Sequence, residues 1–394
     1  MIKIIGTIAP EPKMLQPEEI RRYSRQILLP ELGLSGQQRL LNSSVLVIGA
    51  GGLGSPALLY LAAAGIGTIG IVDFDKVDLS NLQRQILYKE EDVGKSKAVR
   101  SRDILRELNR QVNVISHEQM LSSDNAMETI GSYDVVIDGS DNLPTRYLVN
   151  DACVFSGKPL VYGAIFRFEG QVSVFNLQDE FGRRGPNYRD LFPQPPPPEM
   201  VPSCAEGGVM GVLPGIIGSM QANEAIKIVA GIGTTLSGRL MIFDSLDFTT
   251  RFLRIHPDPE NPVSGNNPTL TQLIDYEAFC NPGKHTGKDH VPEISPSEVH
   301  DLLERGKPFQ FIDVREPLEY QLVSIGAINL PLSSLPQQIG AIHRDGLVVL
   351  HCKSGQRSFS AARMLMKEYG FANVKNMTGG LMGWKQEVDP FLPV

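Results

Sequence analysis

Two short stretches of this 394-residue chain carry residue types whose spacing can do chemistry. One is Gly49-Ala50-Gly51-Gly52-Leu53-Gly54, a G-x-G-x-x-G turn whose side-chain-free backbone can present N–H groups to a phosphate or carboxylate at a helix N-terminus. The other is His351-Cys352-Lys353-Ser354-Gly355-Gln356-Arg357-Ser358, a thiol followed by a short loop with two cations. Loop N–H groups that converge on a sulfur, with a helix N-terminus behind them, stabilise a thiolate. A buried structural cysteine is the competing reading, and Lys353 and Arg357 alongside argue against it.

A lone glycine turn says little, so its surroundings decide. Val45 to Ile48 reads as a buried strand before it, Ser55 to Ala64 as a helix after it, and Gly65 as a helix stop. Thr68 to Asp73 is a second strand ending in an acid, at the distance where nucleotide-binding sheets hold ribose hydroxyls. Asp73 is therefore a ribose ligand or, more simply, an exposed strand-end carboxylate. Asp141 and Asn142 follow the strand Asp134 to Asp138, at the sheet edge where ligands bind, and a helix N-cap is their alternative role. Ser80, Asn81 and Arg84 precede Lys95 and Lys97 on the same side as the turn. Together Asp73, Arg84, Lys97, Asp141 and the glycines supply a ribose holder, phosphate clamps and a carboxylate for Mg2+, the needs of a nucleoside triphosphate. A nicotinamide enzyme requires no such cation pair.

The elements that position these residues alternate. An amphipathic basic helix (17–29) comes first, and after Asp73 a helix (94–109), a strand (112–116), a helix (125–130) and the strand 134–138 predict a mostly parallel α/β sheet covered on both faces. Segments 160–165 and 170–175 add an antiparallel pair. The run Pro193-Gln194-Pro195-Pro196-Pro197-Pro198 can only be an extended loop. It leads to Cys204, then to an apolar helix through Val229 and a strand at 240–243. Residues 281–292 read as a linker, and a smaller α/β pattern begins again at 293. The expected organisation is a Rossmann-like domain with a mixed sheet over 1–280, the linker, and a second α/β domain over 293–394.

Composition narrows the partners. A net charge of -7 and a pI of about 5.6 argue against nucleic acid and anionic membrane. The four cysteines, at 153, 204, 280 and 352, form no C-x-x-C pair, so neither a disulfide framework nor a four-thiolate zinc site is expected. With no signal-like N-terminal pattern and no long apolar run, the expected compartment is the cytoplasm.

The combination of RYSRQ (22–26), GAGGLG, VDFD (72–75), SNLQR (80–84), GKSKA (94–98), DGSDN (138–142) and VPSCAEGG (201–208) resembles the ubiquitin-activating superfamily, above all its members that adenylate sulfur-carrier proteins. The resemblance covers about the first 280 residues. It implies that the C-terminal glycine carboxylate of a small ubiquitin-like carrier ending in Gly-Gly attacks the α-phosphate of ATP, giving an acyl-adenylate and pyrophosphate. Gly52 and Asp73 would fix the nucleotide, with Mg2+ on Asp141 and cations Lys97 and Arg84 holding the phosphates. Arg25 matches an arginine that reaches into a neighbouring subunit, implying a homodimer, and Cys204 matches the cysteine that receives the activated glycine. One departure is clear. Similar enzymes often bind structural zinc through two C-x-x-C pairs, and the matching stretches here, Asn187-Tyr188-Arg189-Asp190 and Pro257-Asp258-Pro259-Glu260, contain no cysteine, so zinc is not expected.

The last 100 or so residues resemble a rhodanese domain, through Ile312-Asp313-Val314-Arg315-Glu316, the Cys352 loop, and Gly379-Gly380-Leu381-Met382-Gly383-Trp384. A cysteine phosphatase needs C-x5-R, whereas here Arg357 stands one position early and Ser358 takes that place; the shorter loop suits a persulfide. The fusion resembles adenylyltransferase/sulfurtransferase proteins of molybdopterin or thiamin biosynthesis. It implies that a Cys352 persulfide, cradled by Lys353, Ser354, Gly355, Gln356 and Arg357 and charged by a cysteine desulfurase or thiosulfate, converts the adenylate to a thiocarboxylate. An NAD-dependent oxidoreductase, or a carrier-binding protein without catalysis, are the alternatives.

Overall fold

The computed structural model describes residues 13–196, 208–280 and 291–393, which divide into two compact units on either side of residues 281–290. The first unit runs α1 (Pro17–Ile27), α2 (Gly33–Leu41), β1 (Ser44–Ile48), α3 (Gly54–Ala64), β2 (Thr68–Val72), α4 (Lys97–Leu108), β3 (Asn113–His117), α5 (Ala126–Gly131), β4 (Val135–Asp138) and α6 (Leu143–Phe155). It continues through β5 (Leu160–Phe166), β6 (Glu169–Phe175), α7 (Tyr188–Leu191), α8 (Leu213–Ala230), β7 (Arg239–Asp244), β8 (Thr249–Arg254) and α9 (Tyr276–Cys280).

Its central strands are unbroken apolar runs because both faces are covered. Alternate residues enter two different cores: Val45 and Val47 pack with α3 and α8, whereas Leu46 and Ile48 pack with α5 and α6. The eight strands lie in the order β3-β2-β1-β4-β5-β6-β7-β8. From β3 to β5 the pairing is parallel. Beyond β5 it is antiparallel, as the hairpin at 160–175 predicts. Strands are added in one direction from β1 to β3 and in the other from β4 onward, so the strand order switches between the parallel neighbours β1 and β4, at the crevice where open α/β sheets take ligands. Register sharpens this placement: Ile48 lies opposite both Val72 and Asp138, so Gly49, Asp73 and Gly139 emerge side by side.

The two stretches that lack the zinc-type cysteines are joined by hydrogen bonds. Asp190 Oδ1 accepts from the Asp258 N–H at 2.9 Å and from Asn261 Nδ2 at 2.6 Å, and Asn187 Nδ2 donates to Ser264 Oγ at 2.7 Å.

The second unit contains β9 (Glu293–Ile294), α10 (Pro296–Glu304), β10 (Gln310–Asp313), α11 (Pro317–Leu322), β11 (Ile328–Asn329), β12 (Val348–His351), α12 (Gln356–Tyr369), β13 (Val374–Met377) and α13 (Gly380–Glu387). Its parallel sheet has the order β11-β10-β12-β13-β9. Period-two alternation again separates two cores, with Ile312, Val348 and Leu350 against α12, and Phe311, Val349 and Met377 against α10 and α13. Cys352 therefore leaves the carboxyl end of the central strand.

Candidate functional site

In the first unit, the glycine turn can close only because two residues lack side chains. Gly49 has φ +88°, and a Cβ on Gly54 would lie 1.9 Å from the Gly49 carbonyl oxygen. The first turn of α3 is thereby pressed against the end of β1. Its N-cap, Leu53, offers no side-chain acceptor; the Ser55 N–H is taken by the Gly51 carbonyl at 2.9 Å, and the N–H groups of Gly51, Gly52, Leu53 and Gly54 make no hydrogen bond among the described residues.

Asp73 is buried, not the exposed strand-end acid that the simpler reading predicts. Its Oδ2 accepts from the Ala50 N–H at 2.8 Å and its Oδ1 from the Asp75 N–H at 2.8 Å. The carboxylate thus clips the glycine turn to the end of β2, with lone pairs left for a hydroxyl donor. Burial pushes its pKa up, opposed by the nearby Lys97 ammonium and these two N–H groups.

These groups border one cleft of about 940 Å³, partly open to solvent. Of the expected residues, Gly49, Gly51, Gly52, Asp73, Arg84, Lys97, Asp141 and Asn142 line it. Lys97, the first residue of α4, is buried, and its Nζ lies 3.1 Å from Asp75 Oδ2. The Arg84 guanidinium donates to the Ser80 carbonyl at 3.0 Å. Asn142 is the N-cap of α6, its Oδ1 accepting from the Thr145 N–H at 2.9 Å. Asp141 beside it is exposed at the mouth and makes no hydrogen bond among the described residues.

Four expected residues that the structure describes are not among those lining the cleft. Gly54 acts through the close approach to Gly49. Ser80 and Asn81 form a one-turn 3-10 helix capped by Asp78, which presents Arg84. Arg25 is exposed on α1, whose neighbouring Tyr23 and Gln26 face inward to Asn109 and the Ala64 carbonyl. Cys204 lies outside the described residues.

Arg146 and Gln85 are among the cleft residues that sequence reasoning missed. Arg146 donates to the Ser140 carbonyl at 3.3 Å and lies over the Tyr162 ring. It stands one helical turn beyond Asn142, a spacing that could have found it. Gln85 is buried beside Gly51, and its Oε1 has no hydrogen-bond partner among the described residues.

In the second unit, Cys352 is fully buried, which the charged loop sequence did not suggest. Burial has not made it inert filler. Its Sγ accepts from the Gly355 N–H at 3.1 Å, and the Ser358 hydroxyl lies 3.5 Å away while donating to Asn376 Oδ1 at 2.6 Å. The loop's carbonyls are drawn off in the other direction: those of Cys352 and Lys353 accept from the Leu381 and Met382 N–H groups at 2.9 and 3.0 Å, in the first turn of α13. Gly380 permits this approach, since a Cβ there would lie 2.3 Å from the Cys352 carbonyl oxygen. Tying the carbonyls outward leaves the Gly355 N–H turned to the sulfur, a start of a cradle for a thiolate or persulfide anion.

Around the loop, Lys353 is half-buried, Ser354 and Gln356 are exposed, and Arg357 is paired with Glu319. Burial opposes ionisation of Glu319, but the hydrogen bonds and charge of Arg357 outweigh it and hold the carboxyl below its ordinary range. Beneath Cys352, His351 is fully buried 3.7 Å from Asp313 Oδ2, and burial pushes its pKa down to about 4. Cys280, by contrast, has its thiol pushed up to about 12, chiefly by burial, and Cys153 is pushed well up for the same reason. Neither is suited to nucleophilic work.

No helix among the described residues is long and apolar enough to cross a membrane. Known proteins give the geometry its context. Residues 23–263 match the ThiF family and residues 295–387 the rhodanese-like domain. A probable adenylyltransferase/sulfurtransferase, MoeZ of Mycobacterium tuberculosis, is 47% identical over 95% of this chain and 95% of its own. The adenylyltransferase and sulfurtransferase MOCS3 of Aedes aegypti is 44% identical over 96% of this chain and 90% of its own. E. coli MccB solved with ATP superposes with a TM-score of 0.53 at 21% identity, over 62% of this chain and 74% of that one, which shows a shared fold. The chain therefore belongs to the ThiF family, carries a C-terminal rhodanese-like domain, and is an enzyme of the adenylyltransferase/sulfurtransferase type.

Proposed function

We propose that the first unit binds ATP in the Gly49–Asp141 cleft and adenylates the C-terminal glycine of a ubiquitin-like sulfur carrier, and that Cys352 then supplies sulfur to make a thiocarboxylate. The observation that carries this reading is the convergence, in one cleft, of the glycine turn, Asp73, two cations and the open carboxylate Asp141. Asp73 would hold ribose hydroxyls, while Arg84, Lys97 and the turn amides would meet the phosphates.

A single exposed carboxylate with both oxygens open fits Mg2+, which keeps most of its waters and takes phosphate oxygens. The described residues hold no cluster of three or more His, Cys, Asp or Glu that would bind a metal by itself. Asp141 would hold the ion, whose chemistry is to neutralise charge on the phosphates.

The carrier's carboxylate oxygen bonds to the α-phosphorus as the bond to the leaving pyrophosphate breaks. The persulfide of Cys352 attacks the acyl carbon and expels AMP, leaving an acyl disulfide. A second thiolate then attacks Cys352 Sγ, freeing the thiocarboxylate and leaving a disulfide for an external dithiol to reduce. Cys204 is the candidate for that thiolate. Arg25, exposed on α1 and without a hydrogen bond or ion pair among the described residues, suits completion of a second subunit's site in a homodimer.

The test is ATP–pyrophosphate exchange with Gly-Gly-ending carriers, followed by mass measurement of oxygen-to-sulfur replacement. Asp141→Ala abolishes exchange. Cys352→Ala leaves exchange intact and blocks the mass change; loss of exchange in well-folded Cys352→Ala protein would overturn the division of labour.

A further inference from the structure

The loop around Cys352 carries two cations, and the structure treats them differently. Arg357 meets Glu319 through two parallel bonds, Nη1 to Oε2 at 2.7 Å and Nη2 to Oε1 at 2.8 Å. The two side chains are 16% and 23% exposed, so water screens the pair weakly. Lys353 makes no ion pair among the described residues.

Glu319 is not a loose surface acid that happens to lie nearby. It sits in α11, which is anchored from below by Arg315. The Arg315 guanidinium donates to the Glu319 carbonyl at 3.2 Å and to the Val323 carbonyl at 2.5 Å. It is itself clasped by both oxygens of buried Asp313, with Nη2 to Oδ2 at 2.6 Å. The Glu319 carboxylate also accepts from the Glu316 N–H at 3.2 Å, closing the helix's own cap. Each of the two ion pairs is thus neutral within itself, and Lys353 is the loop cation without an ion pair among the described residues.

A donor of sulfur to Cys352 can be a small dianion such as thiosulfate or a persulfide carried on another protein. With thiosulfate, the Cys352 thiolate attacks the sulfane sulfur, the S–S bond breaks and sulfite leaves with the electron pair. With a protein persulfide, the thiolate attacks the terminal sulfur and the donor's cysteine thiolate leaves. The first requires that a strongly hydrated dianion be drawn into the site, which needs cationic donors free to replace its water. The second brings one sulfur atom and takes its binding energy from contacts elsewhere on the donor.

We propose that Glu319 is a specificity-determining residue: by occupying Arg357 it withholds the second cation that a dianionic sulfur donor needs, and so directs Cys352 toward protein-borne persulfide. This rests on the reading of Cys352 as the persulfide carrier. Glu319 touches neither the sulfur nor a substrate, and acts through Arg357.

The experiment uses the full chain and two sulfur sources, sodium thiosulfate and a cysteine desulfurase charged with cysteine, and reads persulfide on Cys352 by mass. Glu319→Gln keeps an acceptor for the cap but not the charge. It should raise kcat/KM for thiosulfate roughly tenfold or more, with a steeper decline as salt is added, because attraction of an anion to a freed cation is screened. Loading from the desulfurase should change less than about twofold, since that donor's charge is not read at this position. The double variant Glu319→Gln/Arg357→Gln should lose the gain with thiosulfate. An unchanged thiosulfate kcat/KM in Glu319→Gln, or a gain that persists in the double variant, overturns the proposal. Failure of the wild-type chain to load Cys352 from either source would instead overturn the persulfide reading itself.

Discussion

Arg189 and Asp151 meet as a fully buried, two-pronged ion pair, Nε to Oδ1 at 2.8 Å and Nη2 to Oδ2 at 2.7 Å. The Tyr276 hydroxyl donates to the same Oδ2 at 2.8 Å, and the guanidinium lies between the Tyr147 and Phe279 rings. α6, α7 and α9 are thereby fastened at one point, next to the hydrogen bonds that join the two cysteine-free stretches.

Removing one partner leaves the other charged and dry. Arg189→Met should destabilise the first unit by about 3–5 kcal/mol, whereas Asp151→Asn/Arg189→Met should recover much of that loss. Calorimetric unfolding of the three proteins checks the ordering, and equal destabilisation by single and double variants would contradict it.

Lys97 and Asp75 are paired at 3.1 Å, yet only the lysine is buried in the cleft. Because Asp75 is about half exposed, Asp75→Asn should alter pyrophosphate exchange by no more than about threefold. Lys97→Met should lower kcat/KM by about 10²–10³-fold through loss of phosphate stabilisation. Parallel losses in the two variants would show that the pair, and not the lysine's charge toward the phosphates, matters.

Asp73→Asn replaces one acceptor oxygen by a donor, so either the Ala50 or the Asp75 N–H loses its partner. The expected result is a KM for ATP raised about tenfold or more, from a loosened turn and a weaker ribose contact. Steady-state exchange at varied ATP measures it, and an unchanged KM would remove Asp73 from the nucleotide site.

His351 is neutral when folded, with a pKa near 4 caused by burial, but in the unfolded chain it binds a proton below about pH 6.5. Its contribution is therefore whole above that pH and declines as pH falls toward 4, the loss reaching about 3 kcal/mol at the bottom of the window. Trp384, the chain's single tryptophan, reports the second unit's urea transition. His351→Leu should flatten the decline between pH 6.5 and 4; identical slopes for both proteins would rule this group out.

Much of the fold was legible because it is written locally. Strand-turn-helix order, apolar strands and the Gly65 stop all act within a few residues, and register then brings distant strand ends together. β8 escaped because Thr249-Thr250-Arg251-Phe252-Leu253-Arg254 is exposed along its whole length and carries no one-sided apolar pattern. α11 escaped because its six residues bury no side chain. Glu319 was unreadable for the same reason: its partner Arg357 is 38 positions away, and no periodicity links them. The Asp73 clip to Ala50 depends on packing between β1 and β2, so the sequence could name the acid without its second task.

That clip has a thermodynamic corollary. A turn already fastened by Asp73 and squeezed by Gly49 against Gly54 enters the encounter with its amides aimed, so most of the ordering was completed when the chain folded. On the proposed nucleotide-binding reading, ligand capture at this turn should resemble a key entering a cut lock, with little backbone displacement and only a modest entropic penalty from the protein's side.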